Sequence, residues 1–443
     1  MIFDYNDFAC NKDFFPRYFN ILWSVDRDSY LKMEREYDKE GDCVSTALES
    51  IKQRVPKKYY FKMNSAQLDA ITYSESVFPT YRFILPDALM DDWLSIMDPH
   101  KKYCRDHSLH QPLTAYIVAK LLGYGDPAKA FRLNGRDLLT SCAQAVAYSQ
   151  KTEYLREYFI SLYPDYRKIP NGICLKLARD VFYETAVISA LFHDMGYPWQ
   201  YINRLDKSIV AADFRLPIDT AVESRDILDM IKNRLLIYPF YGYSLTNKNR
   251  PISTWEKRLL VLFEKSLHRT HGFPGSLAFI YLQDRIRLFP TDTSFNEAVC
   301  RFIYDWAAVG IMMHDMPKIY KGEGKRPQNA FLRTSFETDP LSSLITMADV
   351  LEEFHRPAAN FSAVGNESVQ VDYRYPCIQT KLELQGDTLE VSYIYSDKAL
   401  AAQNRRIRTA EIDDYFNPKQ GFIDLSYLGI NSVTCSCKPI HSK

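Results

Sequence analysis

Apolar residues recur at helical spacing through most of the chain and switch to strand spacing near its end. Leu109, Leu113, Ile117 and Leu121 form one stripe, and Gly123 follows as a C-cap. Residues Tyr154 to Tyr163 predict a short helix that Pro164 stops. Phe182, Ala186, Ala190 and His193 fall on one face of a longer helix, which Gly196 and Pro198 terminate. Further helices are predicted over Ser276 to Leu288, Asn296 to Met313, and Leu341 to Arg356 after the opening Asp339-Pro340. Beyond Pro357 the period becomes two: Ser368 to Tyr375, Ile378 to Leu384 and Leu389 to Tyr395 alternate apolar and polar. Gln385-Gly386-Asp387 signals a hairpin, a basic helix is expected over 398–415, and a last strand near Ile430 to Cys435.

The pattern predicts a mainly α protein with a small α+β C-terminal appendage. Residues 1–95 read as a helical, aromatic-rich N-terminal region that caps the main core. Residues 96–356 form the central helical domain, and 357–443 the C-terminal region. A helix is also expected over Gln200 to Leu205, and an amphipathic helix over Trp255 to His268. Between them, 216–252 reads as an insertion broken by Pro217, Pro239, Gly242 and Pro251.

Composition changes this picture little. The 443 residues carry zero formal net charge and are 46% hydrophobic, which fits a packed core and excludes nucleic-acid binding through bulk charge. The nine cysteines are scattered and lack a paired zinc spacing, so reduced thiols and a cytoplasmic location are expected. No signal peptide or membrane-length apolar run is evident, so no membrane partner is expected. The Arg405-Arg406-Ile407-Arg408 run would suit an anionic ligand or another subunit, leaving a homo-oligomer open, although a solvated helix face is the commoner fate.

Chemistry collects at the ends of the apolar helices. His107 and His110 lie three apart near one helix start, hence on one face. His193-Asp194 closes a core-facing stripe, and an Asp beside a His in a core is costly unless a cation neutralises it. His271-Gly272 sits at a tight corner between helices, where glycine lets the backbone pass close to other groups. His314 ends another apolar helix, and Asp349 lies at the edge of the last stripe, between Ala348 and Val350. The loop 318–334 is polar and basic, with Lys318, Lys325 and Arg326, and suits phosphate.

The order of these motifs resembles the HD-domain metal-dependent phosphohydrolases, over roughly residues 100 to 356. The dyad in ALFHDMGYP is the most specific element; RDHSLHQPLTAYIVAKLL and LITMADVLEEFHR match the first and last motifs. The resemblance implies a helical bundle around a divalent metal centre of one or two ions. By it, His107, His193, Asp194 and Asp349 form the minimal ligand set. His271 and His314 resemble the extended pattern of two-metal members, in which Asp194 would bridge the ions. In one-metal deoxynucleotide triphosphohydrolases of the superfamily, nearby histidines act instead as acid and base. Asp194, His271, His314 and His110 are therefore the candidate catalytic residues, with His110 or His268 protonating the leaving oxygen. Tyr197 stands where the HD-GYP group has lysine, and that group's paired histidines are absent, which argues against a cyclic dinucleotide specialist.

Mixed imidazole and carboxylate ligands suit Mn, Fe, Ni, Co or Zn, with Mg at a more oxygen-rich site. A bound ion acidifies water and offsets phosphoryl charge. Lys318, Lys325, Arg326 and Arg356 would neutralise further phosphates. The expected activity is hydrolysis of a nucleotide phosphate ester or anhydride, such as a (deoxy)nucleoside triphosphate or monophosphate. The rivals are a phosphodiesterase for a cyclic or oligonucleotide second messenger, and a nucleotide-binding sensor. The resemblance also extends to bacterial proteins in antiphage defence.

Overall fold

The computed structural model describes residues 1–4, 107–123, 127–133, 135–162, 164, 175–196, 270–286, 294–315, 333–354, 377–419 and 421–440. In chain order the elements are β1 (Ile2–Asp4), α1 (His107–Leu121), β2 (Arg132–Leu133), β3 (Arg136–Asp137), α2 (Leu138–Tyr148), α3 (Glu153–Leu162), α4 (Leu175–Phe192), α5 (Gly272–Ile286), α6 (Ser294–His314), β4 (Thr334–Ser335), α7 (Pro340–Leu351), β5 (Cys377–Gln385), β6 (Thr388–Tyr395), α8 (Lys398–Phe416), β7 (Ile423–Asp424) and β8 (Ser432–Pro439). The described residues are thus mainly helical, with one small four-stranded mixed sheet and two two-stranded pairs, β2-β3 and β4-β7. The expected N-terminal helices beyond β1, the 200–268 segment, the 318–332 loop and the 368–375 strand lie outside them.

Helix α4 is the centre: it packs on α1, α2, α6 and α7, and α5 packs in turn on α6. Every residue from Val181 to Gly196 is buried, as is every residue from Phe302 to Asp315 and throughout α7. Helices surrounded on all sides need apolar or internally bonded residues all round, not a single stripe. The polar residues inside them comply. Thr185 donates to the Val181 carbonyl at 2.6 Å, and Ser189 donates across to the Ala307 carbonyl of α6 at 3.1 Å. Phe182, Phe302 and Trp306 fill the space between α4 and α6, with ring centroids 5.6 to 5.8 Å apart along the Phe182–Trp306–Phe302 chain.

Helix α7 begins as expected, with Asp339 accepting from the Ser342 N–H at 3.0 Å and Pro340 in the first turn. It ends at Leu351, earlier than the Arg356 expected from periodicity. Glu352 is extended (φ −76°, ψ 107°), and its carboxylate turns into the interior.

The sheet runs in the order β1-β5-β6-β8. β1 and β6 are each antiparallel to β5, and β6 is parallel to β8. The predicted hairpin is a two-residue turn, with Gly386 at φ +64° between Gln385 and Thr388. Parallel pairing of β6 and β8 requires a crossover, which α8 supplies. β1 shows that the first residues are not part of a helical cap; they extend the C-terminal sheet. That sheet shares one continuous core with the helices, and Leu382, Leu389, Val391, Tyr393 and Tyr395 belong to it. Arg408 of the arginine run is buried, paired with Glu353 at 2.9 Å and with Glu411, so it serves neither ligand nor solvent. No described helix is long and apolar enough to cross a membrane.

Candidate metal centre

The ends of three helices and the starts of two others meet at one point. Helix α4 gives way at Phe192 to a tight turn, His193-Asp194-Met195-Gly196, closed by the Met195 N–H donating to the Phe192 carbonyl at 3.2 Å. The start of α5 lies directly against this turn. A Cβ on Gly196 would sit 1.9 Å from the His271 carbonyl oxygen, so only glycine allows the approach. On the other side, a Cβ on Gly272 would lie 2.8 Å from the Ile311 and Met312 carbonyls at the end of α6. These two backbone contacts seat His271 between His193-Asp194 and His314-Asp315.

The resulting cluster contains His110 from α1, His193 and Asp194 after α4, His271 before α5, His314 at the end of α6 and Asp349 from α7. All are buried; Asp349 is the most accessible, at 6%. His110 Nε2 and His193 Nε2 are 3.1 Å apart, and so are His271 Nε2 and His314 Nε2. The Asp194 carboxylate reaches all four rings: its Oδ1 lies 2.8 Å from His271 Nε2, 3.4 Å from His193 and 3.5 Å from His314, and its Oδ2 lies 3.4 Å from His110. Asp349 Oδ1 is 3.1 Å from His110 Nε2 and 3.8 Å from His193 Nε2.

The outer nitrogens explain why the inner ones converge. His193 Nδ1 donates to the Ala190 carbonyl at 2.7 Å, and His314 Nδ1 donates to the Ile311 carbonyl at 2.6 Å, each three residues back in its own helix. A carbonyl can only accept, so both rings carry their proton on Nδ1. His110 Nδ1 donates to the Glu352 carboxylate at 2.5 Å, and His271 Nδ1 lies 3.0 Å from Asp315 Oδ2. That Asp315 oxygen also accepts from the His271 backbone N–H at 2.9 Å. With Nδ1 committed, each neutral ring presents its Nε2 lone pair inward.

Two lone pairs facing each other at 3.1 Å repel unless a proton or a cation lies between them. Ligand atoms bound at about 2.0–2.1 Å to a tetrahedral or octahedral ion are about 2.9–3.4 Å apart, which brackets both nitrogen pairs. Two carboxylates supply charge to offset a divalent ion. The donor set therefore fits a metal: His110, His193 and Asp349 form one group that could hold an ion, and His193, Asp194 and His314 a second. The rings also differ electrostatically. Burial pushes the His193 imidazole down, but Asp194 and Asp349 outweigh it and raise the group above the ordinary histidine range. Burial likewise pushes His314 down; there the Asp194 hydrogen bond does not make up for it, and the neighbouring His193 and His271 add to the fall.

Of the residues expected from sequence to hold metal, His193, Asp194, His271, His314 and Asp349 are brought together. The α1 imidazole in the cluster is His110, one helical turn on from His107, whose side chain lies outside the described residues. Lys318, Lys325, Arg326, Arg356 and His268 also lie outside them. Arg333, from the same basic stretch, donates to the Pro418 carbonyl at 2.5 Å and so ties α7's approach to the C-terminal region. Sequence reasoning missed Glu352 and Asp315, the carboxylates behind His110 and His271. A signal existed for Asp315, which repeats the His-Asp pair of α4 at the end of a second apolar helix.

No family model matches the chain, and neither a curated protein nor a solved structure matches it.

Proposed function

We propose that the buried cluster is the centre of a metal-dependent hydrolase. More specifically, the order and type of its residues support an HD-type phosphohydrolase acting on a nucleotide phosphate ester or anhydride. The observation that carries this reading is the inward convergence of the imidazole Nε2 atoms around Asp194, at separations that suit ligands of a common ion.

A divalent ion held by His110, His193, Asp194 and Asp349 would acidify water and offset phosphoryl charge. The chain's own groups would do the rest. Water adds to phosphorus, the bond to the leaving oxygen breaks, and that oxygen takes a proton. His271 and His314 sit within reach of Asp194 and are placed either to move that proton or to hold a second ion. Asp194's contact with both histidine pairs favours the two-ion form, which resembles the cyclic-nucleotide phosphodiesterases and supports a phosphodiesterase as the second reading. A sensor that has lost turnover is disfavoured, because no position of the cluster is vacated.

The test is a panel of nucleoside mono- and triphosphates, cyclic nucleotides and linear oligonucleotides incubated with Mn-loaded protein and resolved by chromatography. Release of phosphate or a nucleotide product from at least one member, lost in His193→Ala/Asp194→Ala, is expected. Turnover that survives in the double variant would remove the cluster from the reaction.

A further inference from the structure

The segment that follows α7 faces two ways. Glu352 is fully buried and points to the cluster, with Oε2 at 2.5 Å from His110 Nδ1. Its other oxygen accepts from the Phe354 N–H at 2.8 Å, so the carboxylate is fixed at both ends. The neighbouring Glu353 points to the C-terminal region, where Tyr395 donates to its Oε1 at 3.2 Å and Arg408 lies 2.9 Å from its Oε2. Just before them, the Tyr393 hydroxyl donates to the Val350 carbonyl at 3.0 Å, and Thr380 to the Leu351 carbonyl at 3.3 Å. Carbonyls at a helix end have no partner within the helix. Here the sheet supplies two of those partners and thereby defines where α7 stops. Had the helix continued, Glu352 would follow helical geometry and its carboxylate could not be held in this bent-back position.

The geometry points to Glu352 as a positioning residue that fixes the tautomer and aim of His110, and to the C-terminal sheet as the element that holds Glu352 in place. This rests on the metal-centre reading above, but its physical content is independent of turnover. A carboxylate behind a ligating imidazole keeps the proton on the outer nitrogen and the lone pair on the inner one. The sheet reaches the site by way of the two glutamates and the end of α7. It follows that the C-terminal region is an outer support of the site and not a separate appendage.

Two measurements on the full-length protein test this. In metal-free protein labelled with 15N-histidine, long-range proton–nitrogen spectra at alkaline pH should show His110, assigned with His110→Gln, as the Nδ1–H form. Glu352→Ala should lose that signature, and Glu352→Gln, which retains an acceptor oxygen, should restore it. Chelator competition with Mn or Zn should show about 10–100-fold weaker binding for Glu352→Ala, with Glu352→Gln recovering most of the loss. Tyr393→Phe/Tyr395→Phe, which removes two hydroxyls and little volume, should weaken binding by about twofold to tenfold, the worth of a hydrogen bond. Lys438→Ala, on the exposed side of the same sheet, should change nothing. An unchanged His110 tautomer and affinity in Glu352→Ala would overturn the role of Glu352. Unchanged affinity in the double tyrosine variant would overturn the role of the sheet. Wild-type protein that binds neither metal would sink the metal-centre reading, while the tautomer spectra would still decide on Glu352.

Discussion

The cluster has two halves built on the same plan. In each, one imidazole ends a buried helix and is anchored to a carbonyl three residues back: His193 on Ala190, His314 on Ile311. In each, a second imidazole is backed by a carboxylate: His110 by Glu352, His271 by Asp315. The halves differ in where their negative charge comes from. The His110–His193 half draws Asp349 from α7 and Glu352 from the residue that follows it, both distant in sequence. Among the described residues, the His271–His314 half has the adjacent Asp315 and a share of Asp194. The helix-ending rings differ as well: against burial, Asp194 and then Asp349 raise His193, whereas burial and the neighbouring His193 and His271 lower His314 despite Asp194. Local helix geometry can thus aim an imidazole without help, but tertiary structure decides how much charge surrounds it, and so how strongly that half draws a cation.

The severest way to break the comparison is to remove what the halves share. Asp194→Ala takes away the carboxylate that reaches every ring of the cluster, so both halves should lose metal and turnover should fall below detection. Metal content by elemental analysis, alongside phosphate release, checks this. Retention of full metal content would mean that the two halves do not communicate through Asp194.

A smaller and more selective effect should come from attacking one half at a time. Asp349→Asn removes charge from the His110–His193 half alone and should weaken the tighter binding step by about tenfold or more, in line with the cost of losing one partner of a buried charged contact. His314→Ala should spare that step. If the site is binuclear, it should lower the metal-to-protein ratio towards one; if His314 moves protons, metal content should stay and turnover should fall. Calorimetric titration with Mn separates these outcomes. Equal losses of the tighter step in both variants would erase the asymmetry.

The parts of the site that could be read from sequence are those set by short-range rules. An apolar helix that ends in His-Asp before glycine shows its direction and its end, so His193, Asp194 and His314 could be named without coordinates. The place of His110 could not be read that way: the pattern makes it an acid beside a His107 ligand, and its meeting with Asp349 and Glu352 is set by a distant chain segment, Glu352 lying 242 residues away. Glu352 itself read as one more polar residue in a helix, because the hydroxyls that meet the end of α7, Thr380 on β5 and Tyr393 on β6, lie 29 and 43 residues beyond the carbonyls they bond. Arg408 was obscured for the same reason: its run resembles a solvated face until Glu353 and Glu411 are placed around it. The hairpin at Gly386 was legible, since a two-residue turn with positive φ is a local demand.

A different effect, on stability and not only on metal, concerns Asp315, the carboxylate that the His271–His314 half has close at hand. One of its oxygens serves two purposes: it accepts from the His271 backbone N–H at the start of α5 and lies 3.0 Å from the ring Nδ1. Asp315→Ala should therefore cost stability as well as aim, by about 2–3 kcal/mol, because a buried backbone donor loses its partner. Asp315→Asn keeps an oxygen in place and exchanges a charged acceptor for a neutral one, so about 1 kcal/mol is expected. Chemical denaturation of metal-free protein measures both. Glu352 offers the comparison, because its Oε2 contacts the His110 ring and its Oε1 accepts from the Phe354 backbone N–H at 2.8 Å. Truncating either carboxylate should therefore alter its histidine and lower the unfolding midpoint, since each change leaves a buried backbone donor without its partner. An unfolding midpoint unchanged in Asp315→Ala would show that the backbone contact of Asp315 carries no weight.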